Sequence, residues 1–116
     1  YGEDRIGGLG PQRLARWFTA GEERGRPVWR IDPRLAAMVS FRQLNLMHPL
    51  PMRGPLDAIF CRNVIIYFDK ETQRELFTRL APLQRKDGLL YLGHSESLFR
   101  VTDAWDLLGK TVYRRT

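Results

Sequence analysis

The strongest constraint on the fold lies in residues 56–68, Leu-Asp-Ala-Ile-Phe-Cys-Arg-Asn-Val-Ile-Ile-Tyr-Phe. Leu56 to Cys61 is a short apolar run broken only by Asp57. Its length and continuity predict a strand buried on both faces, as in a parallel sheet. Arg62 and Asn63 stand where that strand ends. Open α/β sheets bind ligands just outside the carboxyl ends of their strands, which makes these two polar residues the first binding candidates. Taken alone they read equally well as an edge salt bridge and a turn residue.

A second unit of the same kind follows. Asp69 is placed to cap a helix, and Glu71 suits its first turn. Leu76, Phe77, Leu80 and Leu83 mark the buried face, and Pro82 should end it. Asp87-Gly88 signals a turn, and Leu89 to Leu92 a second buried strand. A strand, a helix and a strand of these lengths make a right-handed crossover with a parallel pair. Gly93-His94-Ser95-Glu96 then falls at another strand end. A hydrolase elbow would need glycines on both sides of the serine, and Ser95 lacks the second one. The loop is expected to border a substrate opening and to hold itself by hydrogen bonds. The chain closes with Ala104–Leu108 and Thr111–Arg115 around Gly109-Lys110, which predicts a hairpin.

The wording of these segments is more specific than their pattern. Phe60-Cys61-Arg62-Asn63-Val64-Ile65-Ile66-Tyr67-Phe68-Asp69 is followed by Gly93-His94-Ser95-Glu96 and Gly109-Lys110-Thr111-Val112-Tyr113, and preceded by Val39-x-Phe41-x-x-x-Asn45-Leu46. In that order the strings resemble the chemotaxis-receptor methyltransferase family of CheR type. The resemblance covers nearly the whole chain. It implies an enzyme that methylates receptor glutamates with S-adenosylmethionine. The fold it implies is α/β, the C-terminal half of a Rossmann-like class I methyltransferase sheet with a small inserted antiparallel β-subdomain. On that reading residues 1–37 form the subdomain and 38–116 the half sheet. The family's glycine-containing cofactor loop and ribose-binding acid would lie upstream of Tyr1, and the first sheet strands between Met38–Gln43 and Leu56–Cys61 are missing. This chain is therefore expected to be part of a longer polypeptide and inactive alone.

The resemblance also assigns roles. Asn45 and Leu46 become adenine contacts: an amide carbonyl can accept from the exocyclic amine and a backbone N–H can donate to a ring nitrogen. On its own, Asn45 reads as a turn residue. Arg62 and Asn63 join the cofactor wall. The Tyr67 phenol becomes the group that aims the substrate carboxylate, against a plain packing role. A carboxylate is already ionised at neutral pH, so no strong general base is required.

Upstream, residues 1–10 are glycine-rich and charged and read as a flexible entry. Pro11 suits a first helical position, and Leu14, Trp17 and Phe18 give one apolar stripe ending at Gly21. Glu22 to Pro27 reads as a charged turn and Val28 to Ile31 as a short strand. That strand is an edge where a receptor tail would add, or a cap that binds nothing. Asp32-Pro33 suits either a turn or a capped helical turn. Alternation through Leu35, Ala37, Val39 and Phe41 argues for a strand near Met38–Gln43.

Composition bounds the remaining classes. One cysteine, Cys61, and two histidines make no metal ligand set, so no metal is expected. The lone thiol sits in the apolar run and suits a reduced, cytoplasmic setting. No stretch approaches the roughly 20 apolar residues of a membrane span, so no membrane insertion is expected. The net charge is +6, and only Lys70, Lys86 and Lys110 are lysines. The arginines are scattered, which suits an acidic protein such as a chemoreceptor and not nucleic acid. A monomer is expected. The alternative to an enzyme is a non-catalytic receptor-binding or signalling module.

Overall fold

The computed structural model describes residues 1–116, which divide into two compact units, Tyr1–Gln43 and Leu44–Thr116. The first holds two short helices, α1 (Glu3–Ile6) and α2 (Pro11–Trp17), then strands β1 (Phe18–Glu23) and β2 (Arg26–Ile31), then α3 (Pro33–Ala36). The two strands form an antiparallel sheet with Phe18 opposite Ile31 and Glu23 opposite Arg26. Arg24 and Gly25, at φ of 52° and 75°, close the hairpin. Two consecutive positive φ angles match the right-handed twist of a two-residue hairpin.

Three expectations for this unit change. The entry is ordered: α1 buries Ile6, and Tyr1 exchanges backbone hydrogen bonds with Trp29 at 2.7 and 2.9 Å. Phe18 does not extend the α2 stripe but begins β1, and Gly21 lies inside that strand instead of stopping a helix. The pairing of β1 with β2 outweighs the local helical spacing, since β-propensity yields to cross-strand context. The strand near Met38–Gln43 is absent. Asp32 accepts from the Arg34 amide and caps α3 with Pro33 at its first position, and residues 38–43 are irregular. Phe41 is 91% exposed, so its alternation with Val39 serves no buried face here.

The second unit is built on a four-stranded sheet of order β3-β4-β6-β5. Its strands are β3 (Leu56–Cys61), β4 (Gln84–Leu92), β5 (Trp105–Gly109) and β6 (Val112–Arg115). β3 and β4 run parallel, as expected for the strand–helix–strand unit, and the terminal hairpin adds antiparallel to β4 through β6. The helix between them, α4 (Lys70–Leu80), starts where Asp69 accepts from the Thr72 amide at 2.8 Å. It buries Leu76, Phe77 and Leu80 in one cluster with Cys61, Leu90, Leu92, Trp105 and Tyr113. Phe77 meets Trp105 edge to face at 5.7 Å, and Trp105 Nε1 donates to Gln84 Oε1. Pro82 ends the helix, and Ala81–Leu83 tightens into a 3-10 turn.

Two expectations are corrected. β3 is buried on one face only. It forms the edge of the sheet, and Phe60 stacks on Tyr91 at 4.4 Å while remaining 70% exposed. Asp87-Gly88 does not separate a turn from a strand beginning at Leu89. It is a bulge within β4, where Asp87 adopts φ of 65° and the register with β3 jumps from Gln84 to Leu89.

Candidate active site

The candidate site is built where β3 and β4 end side by side. β3 finishes at Cys61, and Arg62 and Asn63 follow at once. Asn63 turns the chain with φ of 59°, a left-handed value that asparagine tolerates better than most residues. Val64 returns to the right-handed region, and Ile65–Tyr67 forms a 3-10 turn. Phe68 leaves it extended, and Asp69 starts α4. Ile65 is fully buried in the core while Tyr67 is 79% exposed, so the turn buries one side chain and presents another.

Across from this turn, β4 ends at Leu92 and the loop Gly93–Glu96 folds back. The Glu96 carboxylate is the hub. Oε1 accepts from the amides of Asn63 and Gly93, both at 2.7 Å. Oε2 accepts from Val64, Ile65 and Ile66 at 2.9, 2.7 and 3.2 Å. Five backbone donors thus meet one carboxylate that is only 5% exposed. Burial pushes its pKa up, and the amide hydrogen bonds more than offset this, holding it below the usual glutamate value. The far side of the same turn is fixed by Gln73 Nε2, which donates to the carbonyls of Ile65 and Phe68 at 2.8 and 3.0 Å.

The sequence-predicted residues are placed as follows. Arg62, Asn63 and Tyr67 lie on this one turn, with the Arg62 side chain exposed. Asn45 and Leu46 lie on the loop before β3. Asn45 Oδ1 accepts from the Met47 amide at 3.0 Å, the turn role its residue type favours. Leu46 packs against the core, and its carbonyl accepts from Arg79. Asn45 and Leu46 share no hydrogen bond with Arg62 or Asn63. His94 and Ser95 are both exposed and do not bond each other. No group of three or more His, Cys, Asp or Glu side chains is arranged to hold a metal ion. A groove of about 810 Å³ lies in the first unit beside Gly2, Glu23 and Arg24.

Glu96 is the residue that sequence reasoning missed. In the sequence Glu96 reads only as the end of the Gly93–Glu96 loop motif, and an acidic side chain beside His-Ser reads as surface. The signal available was position: it follows a buried strand by four residues, within reach of the neighbouring strand's end.

With this geometry in place, comparison with known proteins is decisive. Residues 1–114 match the family model described as CheR methyltransferase, SAM binding domain. The chain belongs to this family. It is 43% identical over 114 residues to the chemotaxis protein methyltransferase of Escherichia coli (strain K12), covering 97% of this chain and 40% of that protein. The Salmonella typhimurium chemotaxis protein methyltransferase is 44% identical over 106 residues, which cover 90% of this chain and 37% of that protein. A probable chemotaxis protein methyltransferase of Rhizobium etli is 38% identical over the whole chain and 44% of its own length. The chain therefore spans about two fifths of the length of these relatives. No helix is long and apolar enough to cross a membrane.

Proposed function

We propose that the protein carrying this chain transfers a methyl group from S-adenosylmethionine to glutamate side chains of chemoreceptors in the cytoplasm. Membership of the CheR family over residues 1–114 carries this reading. We also propose that the β3–β4 unit with its terminal hairpin is the second half of a Rossmann-like sheet. Residues 1–37 would be the inserted subdomain, and the protein would act as a monomer. The 116 residues alone are expected to be inactive, because they offer only one wall of a cofactor site.

The donor set of that wall suits the cofactor. The Asn45 carbonyl has a second lone pair beyond its bond to Met47, and the Leu46 amide donates to no protein group. Together they offer the acceptor and donor that an adenine edge takes. Arg62 and Asn63 stand at a strand end, where α/β sheets place ligands. When bound, S-adenosylmethionine would supply a methyl carbon open to attack by a carboxylate oxygen. The chain's contribution is alignment. The exposed Tyr67 phenol can hydrogen-bond the incoming carboxylate and fix its approach, and half-exposed Ile66 beside it helps exclude water. A glutamate is ionised at neutral pH and needs no base from the protein. The net charge of +6 favours an acidic receptor helix.

The test uses the intact protein, isotope-labelled S-adenosylmethionine and the cytoplasmic fragment of a chemoreceptor. Alkali-labile label on the receptor is expected, as for a glutamate methyl ester. Asn45→Ala, Arg62→Ala and Asn63→Ala should weaken cofactor binding, each lost hydrogen bond costing about 0.5–1.5 kcal/mol. Tyr67→Phe should lower kcat more than cofactor affinity. Receptor binding without cofactor binding or label would establish a non-catalytic module instead.

A further inference from the structure

We propose that Glu96 is a positioning residue, whose buried carboxylate sets the conformation of the turn that presents Asn63 and Tyr67. This rests on the reading of the site given above.

The arrangement is unusual for a stabilising device. Glu96 has no cationic partner, and its charge is balanced by backbone amides alone. Burying a charge carries a large desolvation cost unless hydrogen bonds replace the lost water. Four of the five donors are consecutive, Asn63 to Ile66. Successive amides converge only when the backbone alternates hand, here left-handed Asn63 followed by right-handed Val64. The carboxylate and the left-handed residue therefore require each other. Without the anion, four amides would face one another at a strand end with no acceptor.

The location makes this more than packing. A nest of amides beyond a strand's carboxyl end, opening a helical turn, is where α/β folds commonly seat a ligand's anion. Here the protein's own Glu96 fills it. A ligand must therefore meet the side of the turn that carries the exposed Arg62 and Tyr67 side chains. With Gln73 holding the Ile65 and Phe68 carbonyls, the backbone is fastened from both sides, and Tyr67 is left projecting from a fixed base.

Glu96→Gln tests this in the intact protein. The substitution keeps the shape, removes the charge and turns one acceptor into a donor facing amides. Expected are at least tenfold faster amide hydrogen exchange at 63–66 and at least a tenfold loss of kcat/KM for S-adenosylmethionine per folded molecule. Glu96→Asp, which keeps the charge with a shorter reach, should fall between parent and Glu96→Gln in both readouts, and it carries the test if Glu96→Gln does not fold. Trp105→Phe, a core lesion on β5, should lower Tm without moving either readout. If the Glu96 variants lower Tm but leave kcat/KM per folded molecule within twofold of the parent, the role is structural only and the proposal falls. If the parent shows no methyl transfer, the proposed function fails separately. Exchange at 63–66 and the Tyr67 ring resonances then decide the proposal, and unchanged values in Glu96→Asp overturn it.

Discussion

Gly93 lies so close to Asn63 that a Cβ on it would sit 2.9 Å from the Asn63 amide nitrogen, overlap Asn63 Oδ1 and stand 2.8 Å from Glu96 Oε1. The glycine is there because two strand ends and a carboxylate meet with no space for a methyl group. Gly93→Ala should destabilise the fold by about 1–3 kcal/mol, the range for overpacking a close contact. Chemical denaturation of the parent and variant would check it, with a lower midpoint expected.

Asn63 separates backbone from side chain. Its φ of 59° is open to glycine at no steric cost, whereas alanine there is strained by about 1–2 kcal/mol. Asn63→Gly should therefore hold stability near the parent, and Asn63→Ala should lower it. Both should weaken cofactor binding if the amide side chain touches the ligand. Melting curves beside calorimetry on the two variants separate the effects.

Glu96 also predicts a pH dependence. Its folded pKa lies below its unfolded value, so the unfolded chain takes up the proton first as pH falls. The stabilisation it gives is complete above the ordinary glutamate pKa of about 4.3 and is lost as pH drops through the lower folded value. The stability gap between parent and Glu96→Gln should be flat from pH 6 to 8 and close towards pH 3. Urea titrations across that range measure it.

Cys61 moves the other way. Burial, then the nearby Glu96 charge, pushes its thiol up to about 11. An unfolded cysteine ionises near 8.5, so stability should decline as pH rises from about 8.5 towards the folded value. In the native state at pH 8 the thiol should resist alkylation by iodoacetamide, and Glu96→Gln should make it more reactive. The rate of carbamidomethylation, followed by mass spectrometry, tests both statements.

The parts of the fold legible in the sequence were those whose signals are local and redundant. Leu56–Cys61 reads as a strand from an apolar run broken only by Asp57, and Asp69 with Leu76, Phe77 and Leu80 reads as a capped amphipathic helix. The turn at Arg24-Gly25 falls inside the turn read at Glu22–Pro27, and β2 covers the strand read at Val28–Ile31, but the first strand of the hairpin, Phe18–Glu23, was not legible. Phe18 falls on the helical spacing of Leu14 and Trp17, and only its partner Ile31 decides that it is in a strand. Around the site, Arg62, Asn63 and Tyr67 were legible as residues at a strand end. Glu96 was not, because its role depends on amides 30–33 positions away, and backbone donors leave no trace in residue identity.

That separation has a bearing on how the chain acquires its shape during synthesis. The turn at 63–66 has no acceptor for its amides until residue 96 has left the ribosome and β4 has paired with β3. At roughly 5–20 residues per second, the intervening stretch takes a few seconds to emerge. During that interval Asn63 has no reason to hold its left-handed state, and the segment that presents Tyr67 is still unformed. The part of the molecule aimed at a ligand thus takes its shape only when a segment some thirty residues further on is in place.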